Sequence, residues 1–154
     1  MKTALYVATV ARTYRKAIDD YFAGEENYRG NMDWYLHEIG KCTYRKFNTG
    51  FFFGRPTEES QIYDNSTYIS EAVYLGIVDA AEDGGLISIE QRNKFCVGDE
   101  IEIMKPDGRD VAARVERILD EDGQDMESAP NAKQKLQVQL SEPAEKYDLL
   151  RMRK

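Results

Sequence analysis

The chain has 154 residues, of which 42% are hydrophobic and 32% are charged, and this composition excludes both a disordered protein and a membrane-spanning one. Its length allows one core with an extension, but not two full-size domains. The net charge of −7 arises in residues 51–154, where thirteen Lys and Arg face twenty-two Asp and Glu. A general nucleic-acid-binding protein is therefore disfavoured, while a local basic patch stays open.

An amphipathic helix is predicted over residues 4–22, because apolar side chains recur there at spacings of three and four, with charged residues between them. Its apolar stripe consists of Val7, Val10, Tyr14, Ala17, Ile18 and Tyr21. Gly24 ends this helix, a polar connection follows, and a second helix begins near Asn31, whose side chain is a candidate cap. Gly40 stands where a left-handed C-terminal cap is expected. Two helices cannot bury both of their stripes alone, so we expect them to pack on the following strands or on something outside this chain.

Three consecutive phenylalanines, Phe51 to Phe53, stand between Gly50 and Gly54, where the helical pattern gives way to a strand pattern. The glycines favour a shaped loop or a short strand. We expect this apolar surface to be covered by the chain's own core or by a neighbouring domain. Basic residues surround the run, as on a stacking platform for bases, although a solvated basic edge explains the same pattern. These basic residues are Lys41, Arg45, Lys46 and Arg55.

From residue 68 onwards the hydrophobic period changes to two, which predicts strands. Turns at residues 83–85, 106–108 and 120–123 separate the strands, and the turn that begins with Pro106 gives the strongest hairpin signal. The predicted strands lie near residues 73–78, 86–90, 100–104, 111–118, 136–140 and 147–152. Six short strands without intervening helices favour a small closed or nearly closed antiparallel barrel over a sandwich. The predicted fold class is therefore mainly β with two N-terminal helices (α+β), divided into residues 1–48 and a barrel domain at 49–154.

Residues with chemical potential are few. Cys42 and Cys96 lack metal-binding spacing, and an inert reduced thiol explains Cys42 better than a reactive one, despite the neighbouring Lys41. His37, the only histidine, is predicted to lie on the surface, and no hydrolase, P-loop or dinucleotide motif occurs. Charged side chains from Arg12 onwards interrupt the hydrophobic region that a secretory signal needs, so we expect a cytoplasmic protein.

Several stretches together resemble the C-terminal part of peptidase family U32 proteins. They are residues 1–10, 14–19, 45–51, 89–95 with the following Val97-Gly98-Asp99-Glu100, and 147–151. The resemblance implies that residues 1 to about 48 are the end of a larger catalytic region, and that the remainder is a lid-like β-barrel similar to the second domain of translational GTPases. It also implies that the chain is a fragment whose main partner is that N-terminal catalytic region.

The same resemblance implies two chemistries for the longer protein. Some family members are described as collagenase-like proteases, and others hydroxylate transfer RNA, ribosomal RNA or ubiquinone with a four-cysteine 4Fe-4S cluster. Neither Cys42 nor Cys96 matches those cysteines, so no cofactor, metal ligand or catalytic residue is assigned to this chain. The substrate would be a polypeptide or an RNA, and no membrane contact is expected.

Three hypotheses for the function remain open. The favoured one is a non-catalytic accessory barrel that helps the catalytic region to hold its substrate. Its candidate substrate-binding residues are Arg45, Phe51, Phe52, Phe53, Arg55, Gln91, Arg92 and Lys94. The second is a structural module whose aromatic loop contacts another domain or a second copy. The third, a self-sufficient hydrolase, lacks a recognisable nucleophile and base in the sequence.

Overall fold

The computed structural model describes residues 2–42, 50–56 and 71–154, and begins with three helices. They are α1 (Ala4–Ala23), α2 (Glu25–Gly30) and α3 (Met32–Gly40). Within the described ranges, no helix is both long enough and apolar enough to cross a lipid bilayer.

The helical segment differs in detail from the predicted pair of helices. The polar connection after Gly24 is itself helical, because α2 has two glutamates in its first turn and an ion pair between Glu25 and Arg29. Asn31 precedes α3 as expected, but its side chain donates to Asp20 at 2.9 Å and does not cap the helix. Gly40 is the last helical residue and does not form a left-handed cap.

Nine strands follow in the described residues, and six of them form the predicted barrel. The strands are β1 (Ala72–Ala81), β2 (Leu86–Gln91), β3 (Phe95–Cys96), β4 (Glu100–Met104), β5 (Asp110–Leu119), β6 (Asp125–Met126), β7 (Ser128–Ala129), β8 (Lys135–Leu140) and β9 (Leu149–Arg153). The sheet runs β4-β9-β1-β2-β8-β5, and a further pairing of β4 with β5 closes it. All these pairings are antiparallel. The prediction of a closed antiparallel barrel preceded by helices is therefore confirmed.

Closure depends on the two ten-residue strands, β1 and β5. Register shifts occur between Tyr74 and Gly76 and between Val78 and Ala80 in β1, and between Val115 and Arg117 in β5. Such bulges bend a strand and increase its twist, which lets one strand pair on both sides around a narrow barrel. Gly76 lies at one of the bends, where an added Cβ would come within 2.9 Å of the Glu90 carbonyl oxygen.

The core fills the barrel interior with side chains that alternate along the strands. Its fully buried aliphatic members include Leu75, Val78, Ile89, Ile103, Val115, Ile118, Val138 and Leu150. A smaller cluster joins Leu5 of α1 to Tyr74, Met104 and Leu149 on the outside of the barrel. The helical segment therefore packs directly against β1, β4 and β9.

The face of α1 that meets the barrel is not its apolar stripe. The buried residues of this helix are Leu5, Thr9, Arg12 and Thr13, three of which are polar. Tyr14 and Tyr21 of the predicted stripe are 62% and 57% exposed. We expected the apolar stripe to be covered either by the strands or by something outside this chain. In this structure the strands do not cover it.

Candidate functional site

A cleft of about 750 Å³ lies where the start of α1 meets the barrel. The first turn of α1 forms one wall, and the beginning of β1 with the loop between β2 and β3 forms the other. The lining residues are Lys2, Thr3, Ala4, Leu5, Tyr6, Cys42, Ala72, Val73, Tyr74, Arg92, Asn93 and Lys154. The cleft therefore joins the two ends of the chain to the loop at 92–94, in which two site residues were predicted.

The α1 wall presents a helix N-terminus to the cleft. Thr3 caps the helix by accepting a hydrogen bond from the Tyr6 amide at 3.2 Å, and the first turn contains no acidic residue. The positive end of the helix dipole is thus not neutralised locally. The Lys2 ammonium lies 4.5 Å from the centroid of the Tyr6 ring, a cation–π distance that places charge beside an aromatic face.

The opposite wall is held in place by backbone contacts. The Arg92 amide donates to the Leu75 carbonyl at 2.7 Å, and the Asn93 side chain donates to the Tyr74 carbonyl at 2.7 Å. These bonds fix the loop against β1, while the Arg92 side chain reaches the surface and pairs with Glu90 at 2.8 Å. Because both partners are partly exposed, this ion pair is weak enough to be exchanged for an anionic ligand.

The charge of the cleft contrasts with that of the chain. Three cationic side chains, Lys2, Arg92 and Lys154, line it, and no acidic side chain does so among the described residues. Burial raises the pKa of Tyr74, and the positive charge of Arg92 offsets part of that rise, so this phenol remains a neutral hydrogen-bond donor. An anionic ligand with flat apolar groups matches these walls best.

Cys42 contributes an inert group to the cleft. Its side chain is 2% exposed, and its thiol donates to the Ile39 carbonyl oxygen at 3.0 Å. Burial raises the pKa of the Cys42 thiol, although Lys2 counteracts part of this effect. A protonated, enclosed thiol is a poor nucleophile, in agreement with the interpretation of the sequence.

The structure separates the predicted site residues on the β2–β3 loop. Arg92 lines the cleft, and Lys94 is exposed two residues further along. Gln91 is fully buried, and its amide nitrogen donates to the carbonyls of Asn93 and Ala129, so it supports the loop from inside and does not face a ligand.

In the described part of the chain, the phenylalanine run and Arg55 are not among the residues that line the cleft. Phe51, Phe52 and Phe53 are 79–84% exposed in a turn that is closed by a hydrogen bond from the Gly54 amide to the Phe51 carbonyl at 3.2 Å. Arg55 is exposed beside them. Arg45 lies outside the described residues. The binding role of these residues stays a prediction.

Sequence reasoning missed the remaining cleft residues, above all Lys2, Tyr6 and Lys154. Lys154 reaches the cleft because β9 pairs with β1 and because its amide donates to the Glu71 carbonyl at 3.1 Å, whereas Lys2 and Tyr6 are brought there by the packing of Leu5 against Tyr74 and Leu149. No local sequence pattern at the two ends of the chain indicates that they lie close together in the fold. Only Asn93, which adjoins the predicted Arg92, had a signal in the sequence, namely its loop position between two strands.

A buried ion cluster fastens the helices to the barrel beside this cleft. Arg151 is fully buried and contacts Glu38 of α3, Glu102 of β4 and Asp110 of β5 at 2.8–2.9 Å. Arg12 binds Asp110 at 2.9 Å and also contacts Glu38. Within residues 2–42, 50–56 and 71–154, its members are Arg12, Lys41, Arg151, Glu38, Glu102 and Asp110, three of each sign.

The electrostatics of the cluster suit a structural role. Burial alone would raise the pKa of Glu38, but the hydrogen bonds and charge of Arg151, with the charges of Arg12 and Lys41, lower it to about 2. The pKa of Glu102 is lowered in the same manner by Lys41 and Arg151, against the effect of burial. Carboxylates of such low basicity are poor general bases at neutral pH. We expect the cluster to hold the helical segment in a fixed position on the barrel.

The fold defines a small closed β-barrel protein with a helical segment clamped to its outer wall. The model of the peptidase family U32 C-terminal domain matches residues 70–151, and that of peptidase family U32 matches residues 1–62. This chain belongs to peptidase family U32.

The chain is similar to three curated proteins and spans only about a third of their lengths. It is 34% identical to tRNA hydroxylation protein P1 of Bacillus subtilis, over 98% of this chain and 36% of that protein. It is 30% identical to tRNA hydroxylation protein P of Escherichia coli, over 84% and 28%. The protein of the same name from Haemophilus influenzae is 28% identical, over 83% and 27%.

Among solved structures, the chain is similar to a C-terminal domain from Geobacillus thermoleovorans that is assigned to the U32 peptidases. The selenomethionine form is 28% identical, covers 52% of this chain and 99% of that one, and superposes with a TM-score of 0.48. The native form covers 50% and 88%, with a TM-score of 0.46.

Proposed function

We propose that this chain is the substrate-recognition part of a U32 protein that modifies transfer RNA, and that its basic cleft binds the RNA backbone. The observation that carries this proposal is the cleft itself, which gathers three cations and two tyrosines in a chain of net charge −7. The three curated relatives are named for transfer-RNA hydroxylation, which supports RNA over a polypeptide as the ligand.

The walls of the cleft suit a short stretch of RNA in both charge and shape. Phosphate groups bind Lys, Arg and the amides of helix N-termini, all of which face this space. Tyr6 adds a partly exposed aromatic side chain on which an unstacked base is able to rest, while Tyr74, which is 8% exposed, lines the cleft without a free ring face. The acidic remainder of the barrel repels RNA, so binding is confined to the cleft and does not spread over the surface.

The chemistry itself belongs in this proposal to the larger region of the longer protein, with the chain as an accessory part. A 4Fe-4S cluster needs four thiolates, and this chain has two cysteines, one of which is enclosed and protonated. The residues present do not fit such a cluster, so any cluster would be bound by the larger region.

The test is a titration of labelled transfer RNA, followed by fluorescence anisotropy at several salt concentrations. Arg92→Glu combined with Lys154→Glu should weaken binding at least about ten-fold and make the salt slope shallower by about two, since each lost phosphate contact lowers it by about one. Lys135→Glu, at an exposed lysine of β8 outside the cleft, is the control and should leave both quantities near wild type.

Two results would contradict the proposal. One is the absence of binding at low salt, and the other is an equal loss of affinity in the Lys135→Glu control. Displacement of the RNA probe by unlabelled gelatin peptides, with a loss of peptide affinity in the Arg92→Glu and Lys154→Glu variant, would favour a polypeptide substrate at the same cleft.

A further inference from the structure

The α1 helix is amphipathic in the inverse sense to an ordinary surface helix. Its barrel-facing side carries Thr9, Arg12 and Thr13. Its solvent-facing side carries large apolar residues at helical spacing. The exposed set is Val7, Tyr14, Ile18, Tyr21 and Phe22, at 58%, 62%, 44%, 57% and 83% exposure. At 100° per residue, the centres of these two faces lie about 180° apart.

The polar face is tied to the barrel and to α3 through Arg12. The Thr13 hydroxyl donates to the Thr9 carbonyl, and Arg12 contacts Asp110 and Glu38 in the ion cluster. The helix is therefore fixed in this orientation by specific bonds. Its apolar stripe cannot turn inwards without separating Arg12 from Glu38 and Asp110, which is costly in a buried site.

The stripe continues into an ordered aromatic row. The ring of Tyr21 packs edge-on against Phe22 at 6.1 Å and against Tyr28 at 5.9 Å, and Tyr28 stacks on Tyr35 at 5.7 Å. Tyr35 donates to Asp20 at 2.6 Å, which ties α3 to the end of α1. An apolar surface that is already ordered, and that spans several helical turns, has the character of an interface.

We infer that this stripe docks onto the larger region of the longer U32 protein, so that α1 is sandwiched between that region and the barrel. The family model that matches all three helices is that of peptidase family U32, whereas the C-terminal domain model begins only at residue 70. The relative that matches 98% of this chain is nearly three times as long, which provides an occupant of sufficient size. The inference rests on the proposed function only in taking that region as the partner.

The experiment compares the 154-residue chain with a longer protein in which it replaces the matching part of the Bacillus subtilis relative. Hydrogen exchange is measured by mass spectrometry without RNA, so a failure of RNA binding leaves the result unaffected. Peptides that cover residues 14–22 should exchange at least about ten-fold more slowly in the longer protein, because the stripe is covered there.

A pair of substitutions sharpens the comparison. Ile18→Asp should lower the melting temperature of the longer protein by several degrees and leave that of the 154-residue chain nearly unchanged. Val97→Asp is the matched control, since Val97 is 43% exposed against 44% for Ile18 but lies on the barrel. It should act alike in both proteins. If the chimaera does not fold, the exchange comparison is made between the full-length Bacillus subtilis protein and its own matching segment.

Two outcomes would overturn the inference. Equal exchange of residues 14–22 in the short and long proteins would mean that the larger region does not cover the stripe. A dimer of the 154-residue chain, seen by light scattering and dissociated by Ile18→Asp, would mean that a second copy is the occupant.

Discussion

Replacing Arg151 by methionine tests whether the ion cluster clamps the helices to the barrel. Arg151 is fully buried and bridges Glu38, Glu102 and Asp110, which come from three different elements. Removing one partner from a buried ion pair costs about 3–5 kcal/mol, because the remaining charge is left without compensation. Since Arg12 and Lys41 still neutralise part of this charge, we expect about 3 kcal/mol, which for a chain of this size lowers the melting temperature by about 6–12 °C.

Urea unfolding gives the measurement with two independent probes. Trp34, the single tryptophan, reports on α3 by fluorescence, and far-ultraviolet circular dichroism reports on the whole chain. The control is Arg117→Met, which removes an exposed arginine from its ion pair with Asp125 and should cost less than about 1 kcal/mol. In the wild type the two transitions should coincide, because the cluster and the contacts of Leu5 unite both parts.

Two results would refute this reasoning. If Arg151→Met were as stable as Arg117→Met, an apolar side chain would replace the stabilising contribution of Arg151 completely, and the ion cluster would not be a clamp. If the Trp34 transition preceded the circular-dichroism transition in the wild type, the helices would be a separate unit and the clamp would not couple them. Arg151→Lys should lie between wild type and Arg151→Met, because one ammonium cannot bridge three carboxylates with the geometry of a guanidinium.

Two further predictions concern acid and the barrel bend. Glu38 has a folded pKa of about 2 against its ordinary value of 4.5, so its contribution is complete above pH 4.5 and is lost as the pH falls towards 2. It amounts to about 3 kcal/mol, and Glu38→Gln should flatten the acid limb of stability against pH, measured by urea unfolding from pH 2 to 7. Gly76→Ala should cost about 1–3 kcal/mol in the same assay, since its Cβ would meet the Glu90 carbonyl oxygen, whereas Gly30→Ala meets nothing within 4 Å and should be neutral or slightly stabilising. Equal effects of the two glycine substitutions, or an acid limb unchanged by Glu38→Gln, would contradict these predictions.

The barrel could be predicted because its signals are local. Period-two strands and glycine-containing turns such as 106–108 place hairpins without knowledge of distant contacts, and β4 and β5 pair as the turn requires. The closed barrel was predicted because no helix was expected between the six strands. The bulges in β1 and β5 that bend the sheet were not predicted, since they depend on how each strand pairs with two neighbours at once.

The cluster and the cleft could not be predicted in this manner. Glu38 and Arg151 are 113 positions apart, and a charged residue in a helix or strand normally indicates a solvated face. The orientation of α1 eluded prediction for the same reason, because Arg12 is buried only through partners far away in the sequence. The helical periodicity did identify the apolar stripe, which the strands leave exposed, and its covering by something outside this chain stays a prediction.

The ion cluster that clamps α1 to the barrel also fixes the two walls of the cleft, and the proposed RNA binding depends on this. The cleft exists only where α1 and the barrel meet, with Lys2 supplied by the helical side and Arg92 by the barrel. A clamp that fixes these two sides also fixes the distances between the cations that would bind successive phosphates. If α1 docks through its opposite face onto the larger region, an RNA held in the cleft is placed at a constant position relative to the chemistry. Loosening the clamp in Arg151→Lys should then weaken RNA binding even though no residue of the cleft has changed.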